Sequence, residues 1–305
     1  MKNVVRLALP GRSDRPISEL VDDFLADMRA AGKSPATVRN YERDVRALAL
    51  WFHGDVEAAS SPVLREYMRG LEGLAPATRA RHRVSVRAFF RWAAEMELIG
   101  SDPAERLPKV KVPEAQPRAL RPGEVERVLG AVTDKRDRLL FQIMFETGLR
   151  ISEALSVRLE RIRLDAQEIT VVGKGGRERT VYLIRTEALG MLRRFLRAQG
   201  WLGRDGETIT QTGLLFRPTE SKQRSGKAGE PIDYTTVQQR WKRYCKAAKV
   251  EATIHQLRHT YATRLVNEGK PLEIVQKILG HRNPQTTQRY AAVSDETVRR
   301  ALEAD

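Results

Sequence analysis

The chain has 305 residues, which is enough for about two domains with separate cores. Its formal net charge of +15 and its pI of about 10.2 favour a polyanionic partner. No apolar run reaches the roughly 18 residues of a membrane span, and the amino terminus lacks a signal-peptide pattern, so we expect a cytoplasmic protein. The single cysteine, Cys245, excludes an intrachain disulfide and a cysteine zinc cluster, and its neighbours predict a packed helix position.

The first part of the chain has the pattern of a helical domain. Apolar residues follow helical spacing in residues 17–32, and Gly32 ends that segment. Ser34 is a predicted N-cap, with Pro35 in the first turn of a second helix that runs toward Trp51. We therefore assign residues 1–107 to an N-terminal helical domain. The apolar residues of its first helix are Ile17, Leu20, Val21, Phe24, Leu25 and Met28.

A run of arginines marks a later helix of this domain. Four arginines recur every four residues and form a slowly drifting stripe on one helix side. Such a stripe can follow the phosphates of a nucleic acid, whereas on a solvated face the like charges would repel one another without benefit. The spacing therefore favours DNA contact over a solvated basic face. The four residues are Arg79, Arg83, Arg87 and Arg91.

Residues 108–118 separate the two parts of the chain. Pro108, Pro113 and Pro117 prevent a helix there and favour an extended, fairly stiff connection. The charge differs on its two sides, because residues 1–108 hold 17 Lys and Arg against 15 Asp and Glu, and residues 109–305 hold 37 against 24. We interpret residues 108–118 as an interdomain linker and residues 119–305 as a second, more basic domain.

The second domain is predicted to be helical apart from one hairpin. Runs of β-branched residues at 168–172 and 177–183 flank the sequence GKGG, which is typical of a hairpin, here with Lys174 at its tip. A polar stretch at about 217–230 predicts a loop, and helical periodicity resumes at Thr235. The predicted fold class is therefore mainly α with a small β-sheet.

Residues suited to phosphodiester chemistry are spread over this second domain. TGLRISE contains Arg150, with Glu153 three residues on to orient it, and HQLRH places His255 and Arg258 on one side of a helix. Arginine suits a phosphate clamp because it donates two parallel hydrogen bonds and stays charged. Attack on a phosphodiester also needs a nucleophile and a proton donor for the leaving oxygen. Candidates for the remaining roles are Lys174, His281 in LGH, and Tyr290 nine residues after His281.

The order and the local motifs of these residues resemble those of the tyrosine recombinase (phage-integrase) family. The resemblance covers nearly the whole chain, most strongly residues 120–292, and favours a simple, Xer-like two-domain member. It implies a helical, SAM-like core-binding domain followed by an α+β catalytic domain. The catalytic set that it implies is Arg150, Lys174, His255, Arg258, His281 and Tyr290.

The reaction that this resemblance implies needs no metal, ATP or other cofactor. Tyr290 would form a 3′-phosphotyrosyl bond that stores the phosphodiester energy for rejoining, and Lys174 would protonate the leaving 5′ oxygen. A phenol with a pKa near 10 is a weak nucleophile until a base or a positive field activates it. His255 is the candidate base, and His281 is a candidate donor to a phosphate oxygen.

The resemblance also implies an assembly on DNA in the nucleoid. The two domains would surround duplex DNA as a C-shaped clamp, and four protomers would pair two recombination sites. Residues 297–303, with Val298, Ala301 and Leu302 apolar, are a candidate docking helix, either on their own chain or on a neighbouring protomer. A second recombinase or an accessory protein is a further candidate partner, and no membrane partner is expected.

Three other interpretations remain open on the sequence. His255 and His259, four residues apart, could bind zinc together with His281, but HQLRH lacks the glutamate of HExxH and Arg258 would repel a cation. His259 is therefore interpreted as structural. A non-catalytic DNA-binding regulator of the same fold would lack part of the catalytic set, and nothing is missing from it. A type IB topoisomerase shares the tyrosine chemistry, although the compact length and the HxLRH and LGH motifs favour a recombinase.

Overall fold

The computed structural model describes residues 13–113, 119–173, 176–217 and 231–280, together with residues 287, 288 and 290. The chain divides into two compact units, Met1–Ala115 and Gln116–Asp305, and each unit has its own buried apolar cluster. In the described residues, no helix combines the length and the apolar character that crossing a membrane requires.

Local start signals place the helices of the first unit. The Ser34 hydroxyl accepts a hydrogen bond from the Thr37 amide at 3.2 Å, which confirms the predicted cap of the second helix, and Pro35 lies in its first turn. The six large apolar side chains of the first helix are all buried, as their spacing predicts. The α-helices of this unit are α1 (Ile17–Ala30), α2 (Pro35–Trp51), α3 (Ser61–Gly70) and α4 (Pro76–Glu95).

A buried polar network joins three of these helices. Asp44 of α2 has no exposed surface and accepts hydrogen bonds from Arg81 and, at 2.7 Å, from Ser85 of α4. His82 Nε2 lies 3.5 Å from the same carboxylate, and His82 Nδ1 lies 3.1 Å from the Tyr67 hydroxyl of α3. Burial raises the pKa of Tyr67 to about 12, and the negative charge of Asp44 acts in the same direction. The buried charge of Asp44 is thus satisfied within the unit.

The second unit combines helices with an antiparallel sheet in the order β1-β2-β3. Its strands are β1 (Ile162–Arg163), β2 (Glu168–Val172) and β3 (Glu178–Tyr182). Its helices are α5 (Pro122–Gly130), α6 (Lys135–Thr147), α7 (Ile151–Leu155), α8 (Thr186–Ala198), α9 (Tyr234–Ala247), α10 (His255–Asn267) and α11 (Leu272–Leu279). Strands β2 and β3 confirm the predicted hairpin, and Cys245 is buried in α9, as expected. The sequence does not predict β1, because two residues are too few to show an alternating pattern.

Helix α6 forms the centre of the second unit. Buried residues cover nearly all of its faces, among them Leu140, Phe141 and Met144, and it packs against α8 and α10. It ends at Gly148, whose φ of +66° is the left-handed conformation common at helix C-termini. Two residues later Arg150 is the N-cap of α7, so the end of this buried helix leads directly to a predicted catalytic residue.

Several predicted features lie outside the described residues. They are residues 114–118 of the linker, residues 218–230 of the loop, Lys174, His281 and residues 297–303 of the candidate docking helix.

Candidate active site

The guanidinium of Arg258 connects the ends of two helices. Its Nη1 donates to the Gly148 carbonyl oxygen at 2.5 Å, and its Nη2 donates to the Leu279 carbonyl oxygen at 2.7 Å. The residue is 4% exposed, and burial, reinforced by the charge of Arg150, lowers the pKa of Arg258 to about 10. The side chain therefore remains a cation at neutral pH and joins the carboxyl end of α6 to that of α11.

Position 148, whose carbonyl oxygen accepts from Arg258, requires glycine for two reasons: its backbone conformation and the close packing around it. Its positive φ favours glycine, and a Cβ built on it would lie 2.4 Å from Tyr261 Cδ1 and 2.9 Å from Leu279 Cδ2. Both distances are far below van der Waals contact. Only glycine allows the chain to turn here so closely against α10 and α11, with its carbonyl group directed at Arg258.

Glu153 holds two arginines from different elements. Its carboxylate accepts from the Arg150 backbone amide at 2.9 Å and from Arg150 Nη1 at 3.0 Å, and Arg179 Nη2 of β3 donates to it at 2.9 Å. Burial alone would raise the pKa of Glu153, but the hydrogen bonds and charges of Arg179 and Arg150 lower it overall. Glu153 is therefore a carboxylate at neutral pH and fixes both side chains. Arg150 is 36% exposed and so keeps surface for a ligand.

Arg179 is a part of this arrangement that the sequence argument did not identify. In addition to Glu153 it contacts the end of α11, where its Nε donates to the Ile278 carbonyl oxygen at 3.3 Å. A Cβ on Gly280, whose φ is +65°, would lie 3.1 Å from Arg179 Cδ. On β3, Arg179 shares its face with the buried Val181, and a charged residue on the core side of a strand is a signal that could have identified it.

His255 is exposed at the first position of α10. Partial desolvation lowers its pKa, and the positive charges of Arg258 and Arg150 act in the same direction. Its ring meets the ring of His259 edge to face, with 6.2 Å between the centroids. The sequence candidate for the base therefore lies on the exposed side of the cluster, within the electrostatic influence of Arg150 and Arg258.

His259 contacts the predicted nucleophile. Its Nδ1 lies 2.7 Å from the Tyr290 hydroxyl oxygen, and the two rings are 5.7 Å apart. Burial lowers the pKa of His259 to about 4, and the charges of His255 and Arg258 contribute in that order. The ring is therefore neutral at pH 7. The sequence predicted a structural role for His259, because it is unsuited to the zinc site that HQLRH could otherwise form and is absent from the catalytic set that the family resemblance implies.

Tyr290 is 2% exposed and packs in a small apolar cluster formed mainly by α10 and α11. Its neighbours there are Tyr261, Ala262, Leu265, Val275 and Leu279. Tyr290 and Arg258 interact electrostatically, since a Tyr290 phenolate would favour the charged form of Arg258. The interaction is reciprocal, so Arg258 favours the phenolate form of Tyr290.

The structure brings together Arg150, Glu153, His255, Arg258 and Tyr290 from the predicted set, and it adds Arg179 and His259. Lys174 and His281 lie outside the described residues. The glycine before Lys174 is near the site, since a Cβ on Gly173 would lie 3.6 Å from Glu153 Oε1. Within the described residues no three His, Cys, Asp or Glu side chains are grouped to hold a metal ion, and the zinc interpretation depends in part on His281.

The predicted arginine stripe divides into residues with different contacts. Arg83 is held inside the first unit, where its Nε and Nη2 donate to the Leu107 carbonyl oxygen at 3.0 and 2.7 Å. Arg91 is exposed. Arg79 lines an open cavity of about 710 Å³, and Glu72 is the one acidic residue in its lining. The other basic residues of this cavity are Arg65, Arg69, Arg106, Lys109 and Lys111.

Two family models match the chain, one in each unit. Residues 118–297 match the model described as "Phage integrase family", and residues 21–97 match "Phage integrase, N-terminal SAM-like domain". The chain therefore belongs to the phage integrase family. The mainly α fold with a small sheet and a SAM-like N-terminal domain, expected from the sequence, is confirmed.

Similar proteins extend this match over nearly the full chain. Tyrosine recombinase XerA of Thermococcus kodakarensis is 33% identical over 291 residues, which cover 94% of this chain and 95% of that protein. Tyrosine recombinase XerD of Ralstonia nicotianae is 33% identical over 307 residues, with 96% and 94% covered. The structure of XerH site-specific recombinase bound to palindromic difH substrate, a post-cleavage complex, aligns with a TM-score of 0.70 at 20% identity, covering 93% of this chain and 84% of that one.

Proposed function

We propose that this chain is a site-specific DNA recombinase that cleaves and rejoins DNA strands through a covalent bond between Tyr290 and a 3′ phosphate. The observation that carries the proposal is the position of Tyr290, whose hydroxyl is hydrogen-bonded to a neutral histidine and lies within the field of the buried cation Arg258. Membership of the phage integrase family and the similarity to Xer tyrosine recombinases support the same reaction.

The two clamp arginines divide the work of binding phosphate. Arg150 is partly exposed, and the carboxylate of Glu153 fixes its orientation. It can therefore donate to the scissile phosphate. Arg258 is buried and supplies positive charge as the pentacoordinate phosphorane develops. A preorganised pair of this kind stabilises the transition state without reorganising when the reaction occurs. His255, exposed beside both arginines, is placed to meet the same phosphate.

The remaining roles follow from the family resemblance. Lys174 protonates the leaving 5′ oxygen, and His281 donates to a phosphate oxygen. The phosphotyrosyl bond retains the energy of the phosphodiester, so rejoining requires no ATP. Because Tyr290 is 2% exposed in the chain without DNA, its hydroxyl must become accessible when the substrate binds.

The proposed partner is a duplex recombination site. The exposed Arg91 and the basic cavity around Arg79, which extends to Lys109 and Lys111, supply positive charge for DNA phosphates. We assign residues 1–107 to the DNA-binding domain, residues 108–118 to the linker and residues 119–305 to the catalytic domain. Pairing of two sites by four protomers, docking through residues 297–303, and action in the nucleoid belong to the same proposal.

A nicked suicide substrate tests the proposal, because loss of a short strand after cleavage traps the covalent intermediate. The chain should form an adduct that survives denaturation, and Tyr290→Phe should bind the same DNA without forming it. An adduct in Tyr290→Phe would refute the assignment of the nucleophile. Sequencing the trapped DNA identifies the site. Strand exchange between two such sites identifies a recombinase, relaxation of any supercoiled plasmid indicates a topoisomerase, and binding without an adduct indicates a regulator.

A further inference from the structure

The hydrogen bond between His259 and Tyr290 places a proton acceptor on the reacting oxygen. The 2.7 Å separation from Nδ1 to the hydroxyl oxygen lies within the range for direct proton transfer. His259 lies in α10 between residues with buried side chains, Leu257 and Arg258 before it and Tyr261 and Ala262 after it.

We infer that His259 is a catalytic residue that accepts the proton of Tyr290 as the phenol oxygen attacks phosphorus. This inference rests on the proposed function and assigns to His259 the base role that the sequence argument gave to His255. His259 touches the nucleophilic oxygen itself, whereas His255 lies on the exposed side of the cluster with Arg150 and Arg258.

Every proton and every bond is accounted for in both cleavage and rejoining. During cleavage the Tyr290 proton moves to His259 Nδ1, the bond from Oη to phosphorus forms, and the bond from phosphorus to the 5′ oxygen breaks. That oxygen takes a proton from Lys174. During rejoining the 5′ hydroxyl attacks phosphorus, Lys174 recovers its proton, and His259 returns its proton to the departing phenolate. The scheme requires a neutral His259 with its ring proton on Nε2, so that Nδ1 is the acceptor.

The charges around His259 make its basicity depend on the substrate. Burial and the charges of His255 and Arg258, all on its own helix, hold its pKa at about 4, which makes it a weak base before DNA arrives. Among the described residues outside α10, Tyr290 contacts the ring through its hydroxyl. A phosphate bound beside Arg150 and Arg258 brings negative charge that opposes these cations and strengthens the base. Tyr290 therefore stays protonated until a phosphate occupies the clamp.

The test measures the rate of adduct formation on the suicide substrate in single-turnover conditions. His259→Gln retains an oxygen that accepts a hydrogen bond but cannot take a proton, and it should react about 100-fold more slowly or worse, with DNA affinity unchanged. Imidazole added to His259→Ala should restore part of the rate in proportion to the concentration of its neutral form. A 5′-bridging phosphorothiolate, whose sulfur leaves without protonation, should rescue Lys174→Ala but not His259→Gln.

A matched control comes from the other unit. His82→Gln alters the buried pair of histidine and tyrosine in the first unit, outside the proposed catalytic set, and should react at the wild-type rate. Near-wild-type cleavage by His259→Gln would overturn the inference, and so would rescue by imidazole of His255→Ala but not of His259→Ala. Faster cleavage by His259→Gln would also overturn it, because the bond would then restrain Tyr290. Failure of the wild-type chain to form any adduct would instead refute the proposed function.

Discussion

Each unit of the chain contains a histidine that shares a hydrogen bond with a buried tyrosine, and in the first unit a buried carboxylate lies beside the pair. In the first unit, His82 lies 3.1 Å from the Tyr67 hydroxyl and 3.5 Å from the buried carboxylate of Asp44. In the second unit, His259 lies 2.7 Å from the Tyr290 hydroxyl, and the charges that act on it are those of His255 and Arg258.

Under the proposed function, this difference in charge separates a structural pair from a reactive one. Burial and the neighbouring anion raise the pKa of Tyr67 to about 12, so that phenol is a poorer nucleophile than tyrosine in water. Arg258 favours the phenolate of Tyr290 instead. Both tyrosines are buried, so the two pairs differ in the charge that acts on them: the carboxylate of Asp44 acts on Tyr67, and the guanidinium of Arg258 interacts with Tyr290.

Removing each buried carboxylate should give the largest effects and should separate the two environments. Asp44→Asn leaves Arg81 and the network around His82 without their anion, and should destabilise the first unit by about 3–5 kcal/mol in urea denaturation. Its cleavage rate, measured where the chain is folded, should not change. Glu153→Gln should slow cleavage by about tenfold or more, because Arg150 loses its ionic partner. Equal cleavage rates in both variants would contradict the division of roles.

Two glycines with similar backbone angles test how tightly each region is packed. Gly148→Ala should cost at least about 2 kcal/mol of stability, because its Cβ would strike Tyr261 and Leu279 in addition to adopting a positive φ. Gly32 has a φ of +71° with open space around it, so Gly32→Ala should cost only the conformational penalty of about 1 kcal/mol. Thermal and urea unfolding measure both. Similar losses would mean that the turn at Gly148 tolerates a side chain.

The pH dependence of the free energy of unfolding should show that His82 and His259 are neutral in the folded chain. Burial lowers the folded-state pKa values of His82 and His259 below that of an unfolded histidine, so the unfolded chain binds more protons between about pH 6.5 and the folded values. Stability should therefore fall as the pH decreases through that window, by at most about 1.4 kcal/mol per pH unit for each group. His259→Gln should flatten the slope measured by urea unfolding between pH 7 and 4. An unaltered slope would show that His259 is not held neutral.

The smallest effects concern the arginine stripe. Arg91→Ala should reduce the salt dependence of DNA binding by about one unit of slope for one lost phosphate contact. Arg83→Ala should act chiefly on stability, because its guanidinium is bound to the Leu107 carbonyl group. Fluorescence anisotropy at several salt concentrations distinguishes the two. If Arg91→Ala left the salt dependence of DNA binding unchanged, Arg91 would be an ordinary solvated surface residue without a phosphate contact.

Local patterns were sufficient for most of the fold. Ser34 and Pro35 mark a helix start, the spacing of Ile17, Leu20 and Phe24 marks a buried face, and β-branched runs around GKGG mark a hairpin, and all three predictions are confirmed. Each rests on interactions within a few residues of the chain. The two-residue strand β1 was not predicted, because it is defined by its pairing with β2 and not by a local pattern.

By itself the sequence determined the family, the fold class and a set of candidate catalytic residues, because these are recorded in short motifs and their order. Tertiary structure decided which groups meet. Arg179 reaches Glu153 across 26 positions of sequence and His259 reaches Tyr290 across 31, and neither contact is encoded by any local period. The sign of the charge beside each tyrosine was also decided there, because it depends on which helix ends pack together and on how much water they exclude.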